Sequence, residues 1–416
     1  MLTLAAAGQV NNYYVNASTG SDSRTASQAQ SPGTPWLTIN HAIGNFSLGS
    51  GGAIIHVAAG TYSNAAGSAC FSSVACFNRG GSSPTARLVV QCDTPLQCFL
   101  TTTVYFNGAS VNNIDFTGFD VGNLPNSTNA LTTANNGTAS TYNSLHIIGN
   151  YFHDVGQSVV FNGITGCIDD GMVVVGHPHY QSFLNTDIRV IGNRLNRFGL
   201  VGNACNNAQG IYIPTGGAII QNNIISNIAT SGIQVYDQPC NSVISNNVMF
   251  HNGRGISIGG GYCGSGHNTI INNIIDDSVT NAGNGNLGNG IQITNGGTCP
   301  IGNTLISNNL FSGNRSNISG IGGCEVVSNS KTEAPATTFV NYQTNGSGDY
   351  HLKTGSIAIG GGTTACVAGG ISPCIPVVSY FAVNVRPNPP SIGADEVGTS
   401  ATTSPNAPTS LTATVQ

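Results

Sequence analysis

Hydrophobic and polar positions alternate along most of the chain in short runs that polar turns interrupt. The repeating unit reads apolar–x–apolar, then asparagine, then a few apolar residues, a polar turn and finally Gly–Ile–x–Ile. It is clearest in LHIIGNYFHDVGQSVVFNG, AIIQNNIISNIATSGIQVYD and SVISNNVMFHNGRGISIGG. Alternation with a period of two predicts β-strands, and strands this short cannot pack alone. The pattern therefore predicts many short strands that stack on one another.

One asparagine recurs in each repeat, at intervals of 24 to 43 residues: Asn150, Asn193, Asn223, Asn247, Asn273 and Asn309. The shortest intervals match one coil of a solenoid, and the longer ones match a coil with a loop. If like strands of successive coils pair in parallel, at about 4.8 Å per coil, each asparagine lies above the previous one. Its amide can then bond the same amide one coil away, and asparagine also tolerates left-handed turns.

The chain divides by the presence or absence of this repeat. Residues 34–46, TPWLTINHAIGNF, place Trp36, Ile39, Ile43 and Phe46 at helical spacing, which predicts a short helix that covers the open end of the solenoid. The expected segments are a signal-segment remnant (1–8), a cap and first coil (9–62), the β-helix (63–330), irregular closing coils (331–398) and a Ser/Thr/Pro linker with a strand-like tail (399–416).

Composition narrows the class of protein. Charged residues are 6% of the chain, against roughly 25% in ordinary soluble domains, so amides and hydroxyls must supply the polar surface. The net charge of −5 comes with scattered lysines and arginines, which argues against nucleic-acid binding. No apolar run reaches the roughly 18 residues of a membrane span.

The twelve cysteines are an even number and form no CxxC motif, which argues against zinc ribbons and redox motifs. Disulfides in an oxidising compartment, hence a secreted or cell-surface protein, are the favoured interpretation. The alternative is reduced, buried cysteine that acts as a small hydrophobe. The near pairs are Cys70/Cys76, Cys92/Cys98 and Cys366/Cys374, and the others fall in loops: Cys167, Cys205, Cys240, Cys263, Cys299 and Cys324.

Three stretches resemble secreted bacterial right-handed parallel β-helix proteins of the pectate-lyase-like superfamily. They are YYVNASTGSD…TPWLTINHAI…GGAIIHVAAGTY at the N-terminus, the N-N-x-I…G-I-x-I repeats, and GDYHL…GSIAIGGG…R…IGADE near the end, together spanning roughly residues 12–398. The resemblance implies an all-β, right-handed parallel β-helix with a short N-terminal capping helix and irregular C-terminal closing coils. The resemblance does not specify one activity, because the superfamily includes polysaccharide lyases, glycoside hydrolases, epimerases, adhesins and inactive surface proteins.

The repeat places a mostly polar and ionisable column at the fourth position after each ladder asparagine: Asp154, Arg197, Asn227, His251, Asp277 and Gly313. Lyase chemistry on a uronic acid needs a base and a cation that neutralises the carboxylate. Arg197, His251 and Arg254 are the candidate bases or carboxylate clamps. Asp154, Asp276 and Asp277 could hold calcium. A hydrolase would instead pair carboxylates, such as Asp154 with Asp237 or Asp237 with Asp277.

A second column, the x of Gly–Ile–x–Ile, offers a sugar platform through Tyr212, Gln234 and Gln292, with Tyr236 just beyond. The loop of residues 167–180 adds metal-compatible side chains: Asp169, Asp170, His177 and His179. Against all of these stands the interpretation that Asp, Asn and His at turns satisfy backbone groups.

Two functions remain open. The first is a secreted protein that binds or cleaves extracellular polysaccharide, lyase-like if it is an enzyme, with a glycoside hydrolase as the other enzymatic option. The second is a non-catalytic surface, adhesive or filament-forming protein that associates with itself or with other surface modules. The second follows from the very low charge, with Lys331 and Lys353 the only lysines, and from strand-like chain ends.

Overall fold

The chain folds as a right-handed parallel β-helix in which successive coils add strands to three parallel sheets. The computed structural model describes residues 8–63, 70, 73–108, 111–133, 142–168, 173–174, 186–239, 241–260, 267–280, 287–294, 303–323, 325–366 and 386–396. The fold class expected from the repeat is confirmed. No helix in these ranges is long and apolar enough to cross a membrane.

The three sheets run the length of the solenoid, and their strands are given in spatial order. Sheet 1 contains β1 (Asn11–Val15), β2 (Ala53–Val57), β5 (Leu88–Cys92), β8 (Ile114–Thr117), β11 (Leu145–Ile148), β16 (Ile188–Ile191), β19 (Ala218–Gln221), β22 (Val243–Ser245), β25 (His267–Ile271), β28 (Asn303–Ser307) and β31 (Glu325–Ser328). Sheet 2 contains β3 (Gly60–Tyr62), β6 (Cys98–Leu100), β9 (Asp120–Leu124), β12 (Tyr151–Val155), β17 (Arg194–Phe198), β20 (Ile224–Ile228), β23 (Val248–Phe250), β26 (Ile274–Asp276), β29 (Leu310–Ser312) and β32 (Lys331–Thr332). Sheet 3 contains β4 (Ala75–Phe77), β7 (Val104–Phe106), β10 (Leu131–Thr133), β15 (Val173–Val174), β18 (Ile211–Thr215), β21 (Ser231–Gln238), β24 (Arg254–Ile258), β27 (Asn289–Ile293) and β30 (Ser316–Ser319).

Smaller elements lie outside the three sheets. They are a 3-10 turn (Gln28–Gln30), α1 (Ile39–Asn45), α2 (Pro335–Thr338) and two antiparallel hairpins, β13 (Val160–Phe161) with β14 (Ile164–Thr165) and β33 (Phe339–Asn341) with β34 (Asp349–Leu352).

The asparagine ladder predicted from the repeat is confirmed, and its six members are buried. The side-chain Nδ2 of the first five members donates to Oδ1 of the asparagine in the next coil, at 2.9 to 3.1 Å. The Nδ2 of every member, including Asn309 at the end of the ladder, also donates to a main-chain carbonyl of the preceding coil, for example that of Asn247 to Ile220 O at 2.9 Å. Because each amide has a donor and an acceptor partner, the ladder carries no unsatisfied polar group into the interior.

The left-handed turn belongs to the residue before the ladder asparagine. Asn222, Asn246, Asn272 and Asn308 have φ between 51° and 58°, whereas the ladder members do not. In the two earlier coils the same position is Gly149 or Gly192, with φ of 64° and 66°. The sequence analysis gave both roles to one asparagine, and the structure divides them between the two members of each Asn–Asn pair.

A cap covers the N-terminal end of the solenoid, as predicted. The side chain of Thr38 accepts from His41 N at 3.1 Å and begins α1. Trp36, Ile39 and Ile43 are at most 1% exposed, and Tyr13 of β1 stacks on Trp36 with ring centroids 5.3 Å apart. The burial of this apolar face removes the end of the core from water.

Beyond β32 the chain lies along the outer side of sheet 2, in a segment that we call the strap (residues 339–366 and 386–396). Its apolar side chains form a second core with outward-facing residues of sheet 2. Sheet 2 contributes Ile224, Val248, Phe250, Ile274 and Leu310, and the strap contributes Phe339, Tyr350, Leu352, Ala358, Ile392 and Ala394. A buried ion pair, Arg386 Nη1 to Glu396 Oε1 at 2.6 Å, fixes its far end, and Arg386 Nη2 donates to Asn222 Oδ1 at 2.8 Å. Burial of apolar area is what holds the strap against the sheet.

Disulfides occur as expected for an oxidising compartment. Cys70–Cys76 and Cys92–Cys98 confirm two of the near pairs, and Cys167–Cys205 is a third bond. Cys366 is disulfide-bonded as well. The remaining cysteines lie outside the described residues: Cys240, Cys263, Cys299, Cys324 and Cys374.

Donor groups and carboxylates alternate across the outer face of sheet 1. Arg87 lies 2.7 Å from Asp115, and the ring nitrogens of His146 lie 2.8 Å from Asp115 and 3.0 Å from Asp187. Arg189 follows, 2.6 Å from Asp187. Burial raises the pKa of both carboxyl groups, but the combined hydrogen bonds and charges of their partners lower it further, so both pKa values lie below normal. These partners are His146 and Arg87 for Asp115, and His146, Ser144 and Arg189 for Asp187.

This alternation predicts a loss of stability in acid. Because the folded-state pKa of each carboxyl is depressed, its contribution is present above the unfolded pKa of about 4 and is lost as the pH falls below it. We expect Asp187→Asn to lower the free energy of unfolding by about 1 kcal/mol at neutral pH, since the carboxyl group is partly exposed and screened. We also expect a smaller decrease in this free energy as the pH falls. Urea unfolding of both proteins between pH about 6 and 3 measures this. Parallel curves for the two proteins would contradict it.

Candidate functional site

The first polar column is a column of left-handed backbone positions. Asp154, Arg197, Asn227, His251 and Asp277 have φ between 52° and 63°. Asparagine, aspartate and histidine are enriched at such positions, and glycine adopts them freely. The backbone therefore explains most of the polarity of this column without chemistry, as the turn interpretation held.

The column separates into two pairs. Arg197 Nη1 lies 2.9 Å from Asp154 Oδ1, and His251 Nδ1 lies 3.2 Å from Asp277 Oδ2. Between them, Asn227 Nδ2 donates to Thr344 O of the strap at 2.8 Å. The residues of this column predicted to act together therefore do not converge on one centre.

An open pocket of about 390 Å³ lies beside Asp154 and Arg197. His153 links this pair to Asp120 at the start of β9, with Nδ1 2.6 Å from Asp154 and Nε2 2.8 Å from Asp120. Burial lowers the pKa of His153, but its hydrogen bonds to the two carboxylates outweigh this and raise it. Gly122 makes room for the ring, because a Cβ there would lie 2.3 Å from His153 Nε2. The opposite charges are matched, which is the pattern of a structural network.

Asp276 is the most unusual carboxyl in the described part of the chain. It is fully buried, and neither carboxylate oxygen has a hydrogen-bond partner. Burial raises its pKa well above normal, and Asp277 and Glu333 add to the rise. No group of three or more His, Cys, Asp or Glu is placed to hold a metal ion within the described residues. The predicted calcium pair, Asp276 with Asp277, thus gains no third such ligand from these residues.

The second column lies on the outer face of sheet 3. Tyr212, Gln234, Ser257 and Gln292 are aligned in register on successive strands. Tyr212 is 5% exposed and Ser257 is 2% exposed, so the column members that reach solvent are the two glutamines.

Tyr236 lies beside this column and is also half-buried. A Cβ at Gly259 would lie 2.6 Å from Tyr236 Cε2, so glycine is needed beside the ring. Asp237 belongs to β21, but its side chain is outside the described residues. The other predicted loop ligands also lie outside them: Asp169, Asp170, His177 and His179.

Arg254 begins β24 and lies against the second column. Its Nη1 donates to Gln292 Oε1 at 2.8 Å and its Nη2 donates to Asn206 Oδ1 at 3.1 Å, while Nε has no partner among the described residues. The side chain is 5% exposed, and burial lowers its pKa to about 10, so it stays charged at neutral pH. None of the carboxylates that the structure describes forms an ion pair with it.

Among the residues that the structure describes, the Arg254 guanidinium is held by neutral amides alone. Such burial of a cation is costly, and groups of this kind concentrate at functional sites. We therefore define the candidate site as Arg254, Gln292, Gln234, Tyr236 and Asn206. Sequence reasoning found four of these residues and missed Asn206. Asn206 belongs to a loop without periodicity, and its position next to Cys205 was the one available signal.

Comparisons with known proteins show the fold. No family model matches the chain, and no curated protein matches it. A solved structure described as "Crystal structure of pectate lyase Pel9A" is 15% identical, with a TM-score of 0.53, and the match covers 94% of this chain and 97% of that one. Another, "Rhamnogalacturonan lyase", is 13% identical, with a TM-score of 0.47, and covers 80% of this chain and 91% of that one. At these identities the likeness extends to the right-handed parallel β-helix and no further.

Proposed function

We propose that this protein binds an acidic extracellular polysaccharide across the outer face of sheet 3, above the buried charge of Arg254. The observation that carries the proposal is a guanidinium that is buried, protonated and without a carboxylate partner among the described residues. An anionic ligand would supply the missing countercharge in a site of low dielectric constant, where the attraction is stronger than in water.

Gln292 connects the buried charge to the surface. Its Oε1 accepts from Arg254, which leaves the two hydrogens of its Nε2 free to donate outward. Gln234 occupies the same column two coils away, and Tyr236 adds an aromatic ring with a hydroxyl group. Amides bond sugar hydroxyls and carboxylates, and aromatic rings contact the apolar faces of sugars.

Cleavage, if it occurs, is expected to be lyase-like. Removal of the proton next to a uronate carboxylate needs a positive charge that stabilises the anion that forms, and Arg254 is our candidate for that charge. Arg197 and His251 are engaged with Asp154 and Asp277, which makes them weaker candidates than the sequence analysis predicted. Binding without cleavage would favour the alternative of a non-catalytic surface protein.

Gln292→Glu is the sharpest test of this proposal. It places a carboxylate 2.8 Å from the position of Arg254 Nη1 and so neutralises the site from within. A charge-assisted hydrogen bond between ligand and site is worth about 1.5–3 kcal/mol, so we expect affinity for acidic oligosaccharides to fall roughly 10- to 100-fold. The fold should be retained or stabilised, because the buried cation gains a partner. Calorimetric titration with uronate oligosaccharides and thermal unfolding measure the two effects.

Two controls complete the experiment. Arg254→Gln should lower the affinity for the same ligands. Arg197→Ala removes the other arginine considered for this role and should leave the affinity within about twofold of that of the unmodified protein. Neutral oligosaccharides should not distinguish Gln292→Glu from the unmodified protein. Undiminished binding of acidic oligosaccharides by Gln292→Glu would refute the proposal.

A further inference from the structure

We infer that the Cys167–Cys205 disulfide is a positioning element of the Arg254 site, because it fixes the loop from which Asn206 holds the guanidinium. The inference rests on the proposed function, since it concerns the same site. The bond joins two loops that lead from sheet 2 to sheet 3 in successive coils, and its sequence separation is 38 residues.

The two loops form a wall, which we define as residues 160–168 and 199–209. Leu200 N donates to Gly166 O at 3.1 Å, and Asn203 Nδ2 donates to Thr165 O at 2.9 Å. The approach is close, because a Cβ at Gly166 would lie 2.4 Å from Leu200 Cγ. Both cysteines are at most 2% exposed and belong to the main core, so the disulfide anchors the wall from inside.

The same wall is hydrogen-bonded, immediately after the disulfide, to Thr230 in the turn that precedes β21 of sheet 3. Thr230 Oγ1 donates to Cys205 O at 3.3 Å and accepts from Ala208 N at 3.2 Å. Between these two contacts lies Asn206, whose Oδ1 accepts from Arg254 Nη2 at 3.1 Å. The residue that holds the guanidinium is therefore one position from a cysteine that is covalently fixed to the previous coil.

This arrangement assigns the disulfide a role beyond general stability. Asn206 and Gln292 are the two acceptors of the Arg254 guanidinium, and Gln292 belongs to a strand whereas Asn206 belongs to a loop. A strand position is fixed by the sheet, but a loop position needs another restraint. Loss of the disulfide should therefore release one side of Arg254 while the sheet stays intact.

The test is the rate at which phenylglyoxal, a guanidinium reagent, modifies Arg254, measured by mass spectrometry. In Cys167→Ser/Cys205→Ser we expect Arg254 to react about tenfold faster, with Arg197 unchanged. The matched control is Cys92→Ser/Cys98→Ser, which removes a disulfide distant in sequence and should leave the Arg254 rate unchanged. An Arg254 rate unaltered by loss of Cys167–Cys205 would overturn the inference.

Asn206 provides a second route that keeps the disulfide. Asn206→Ala should also accelerate the modification of Arg254, and Asn206→Asp, which retains the acceptor oxygen, should not. If Cys167→Ser/Cys205→Ser does not fold, the comparison of Asn206→Ala with Asn206→Asp decides. Equal rates of Arg254 modification in these two variants overturn the inference.

Ligand binding separates the inference from the proposed function. Loss of the Cys167–Cys205 bond should lower the affinity for acidic oligosaccharides about tenfold in the otherwise unmodified protein. In a protein that already carries Arg254→Gln, it should not lower the affinity further. A further loss in that background would overturn the inference, because the disulfide would then act elsewhere. If the unmodified protein binds no acidic oligosaccharide while the modification rates behave as expected, the proposed function fails and the positioning role stands.

Discussion

Asn247→Leu lowers the free energy of unfolding by roughly 4–6 kcal/mol, the largest effect we expect from a single substitution. The change keeps the volume of the side chain but removes four buried hydrogen bonds, those with Asn223 N, Asn223 Nδ2, Ile220 O and Asn273 Oδ1. Loss of one partner of a buried hydrogen bond costs about 1–3 kcal/mol, and burial of the apolar leucine offsets part of the sum. Chemical denaturation followed by circular dichroism measures the difference.

The control for the ladder is an asparagine that is not part of it. Asn162 is exposed and has φ of 49° at the tip of the β13–β14 hairpin. Asn162→Gly should change stability by less than about 0.5 kcal/mol, because glycine adopts this conformation freely. A cost below about 1 kcal/mol for Asn247→Leu would show that the amide ladder is not what joins the coils.

Asp276 should make the protein less stable as the pH rises. Its folded-state pKa is raised by burial, and the charged groups that face it, Asp277 and Glu333, raise it further. Its contribution to stability is therefore fully present below the unfolded pKa of about 4 and is lost as the pH rises through the folded value. This window lies above the acid window of the sheet 1 carboxylates.

Two substitutions separate charge from polarity at this position. Asp276→Asn cannot ionise, so we expect it to abolish the decline in stability with pH. Asp276→Leu should do the same and also add about 2 kcal/mol at neutral pH, because it removes an unsatisfied buried polar group. Unfolding free energies between pH about 5 and 9 measure both effects. If the pH curve of Asp276→Asn runs parallel to that of the unmodified protein, the carboxyl is not buried in its neutral form beneath the strap.

The solenoid was predictable from sequence because its physics is local and repeated. Asn150 to Asn309 recur at coil spacing, and the interior can accept a polar amide only if every coil supplies one. The cap helix was predictable for a similar reason, since Ile39, Ala42 and Ile43 share one helical face, whereas Trp36 lies just before the helix. The path of the strap has no period, and its contacts, such as Arg386 with Asn222, join residues 164 positions apart.

The site was harder to predict because residue type does not report environment. Asp154, Arg197 and His251 stood out as ionisable residues in register, and the left-handed backbone accounts for their alignment. Arg254 was identified as a candidate, but its burial, with no carboxylate partner in the part of the chain that the structure describes, depends on the neighbouring coils. Asn206 has no signal in the sequence beyond its position next to Cys205, because its contact depends on where the disulfide holds its loop.

The most direct test of the proposed function is a crystal structure with a bound acidic oligosaccharide. The account predicts a sugar carboxylate on the outer face of sheet 3, within hydrogen-bond distance of Gln292 Nε2 or the Arg254 guanidinium. A sugar seated instead in the pocket beside Asp154 and Arg197, with sheet 3 unoccupied at saturating ligand, would contradict it.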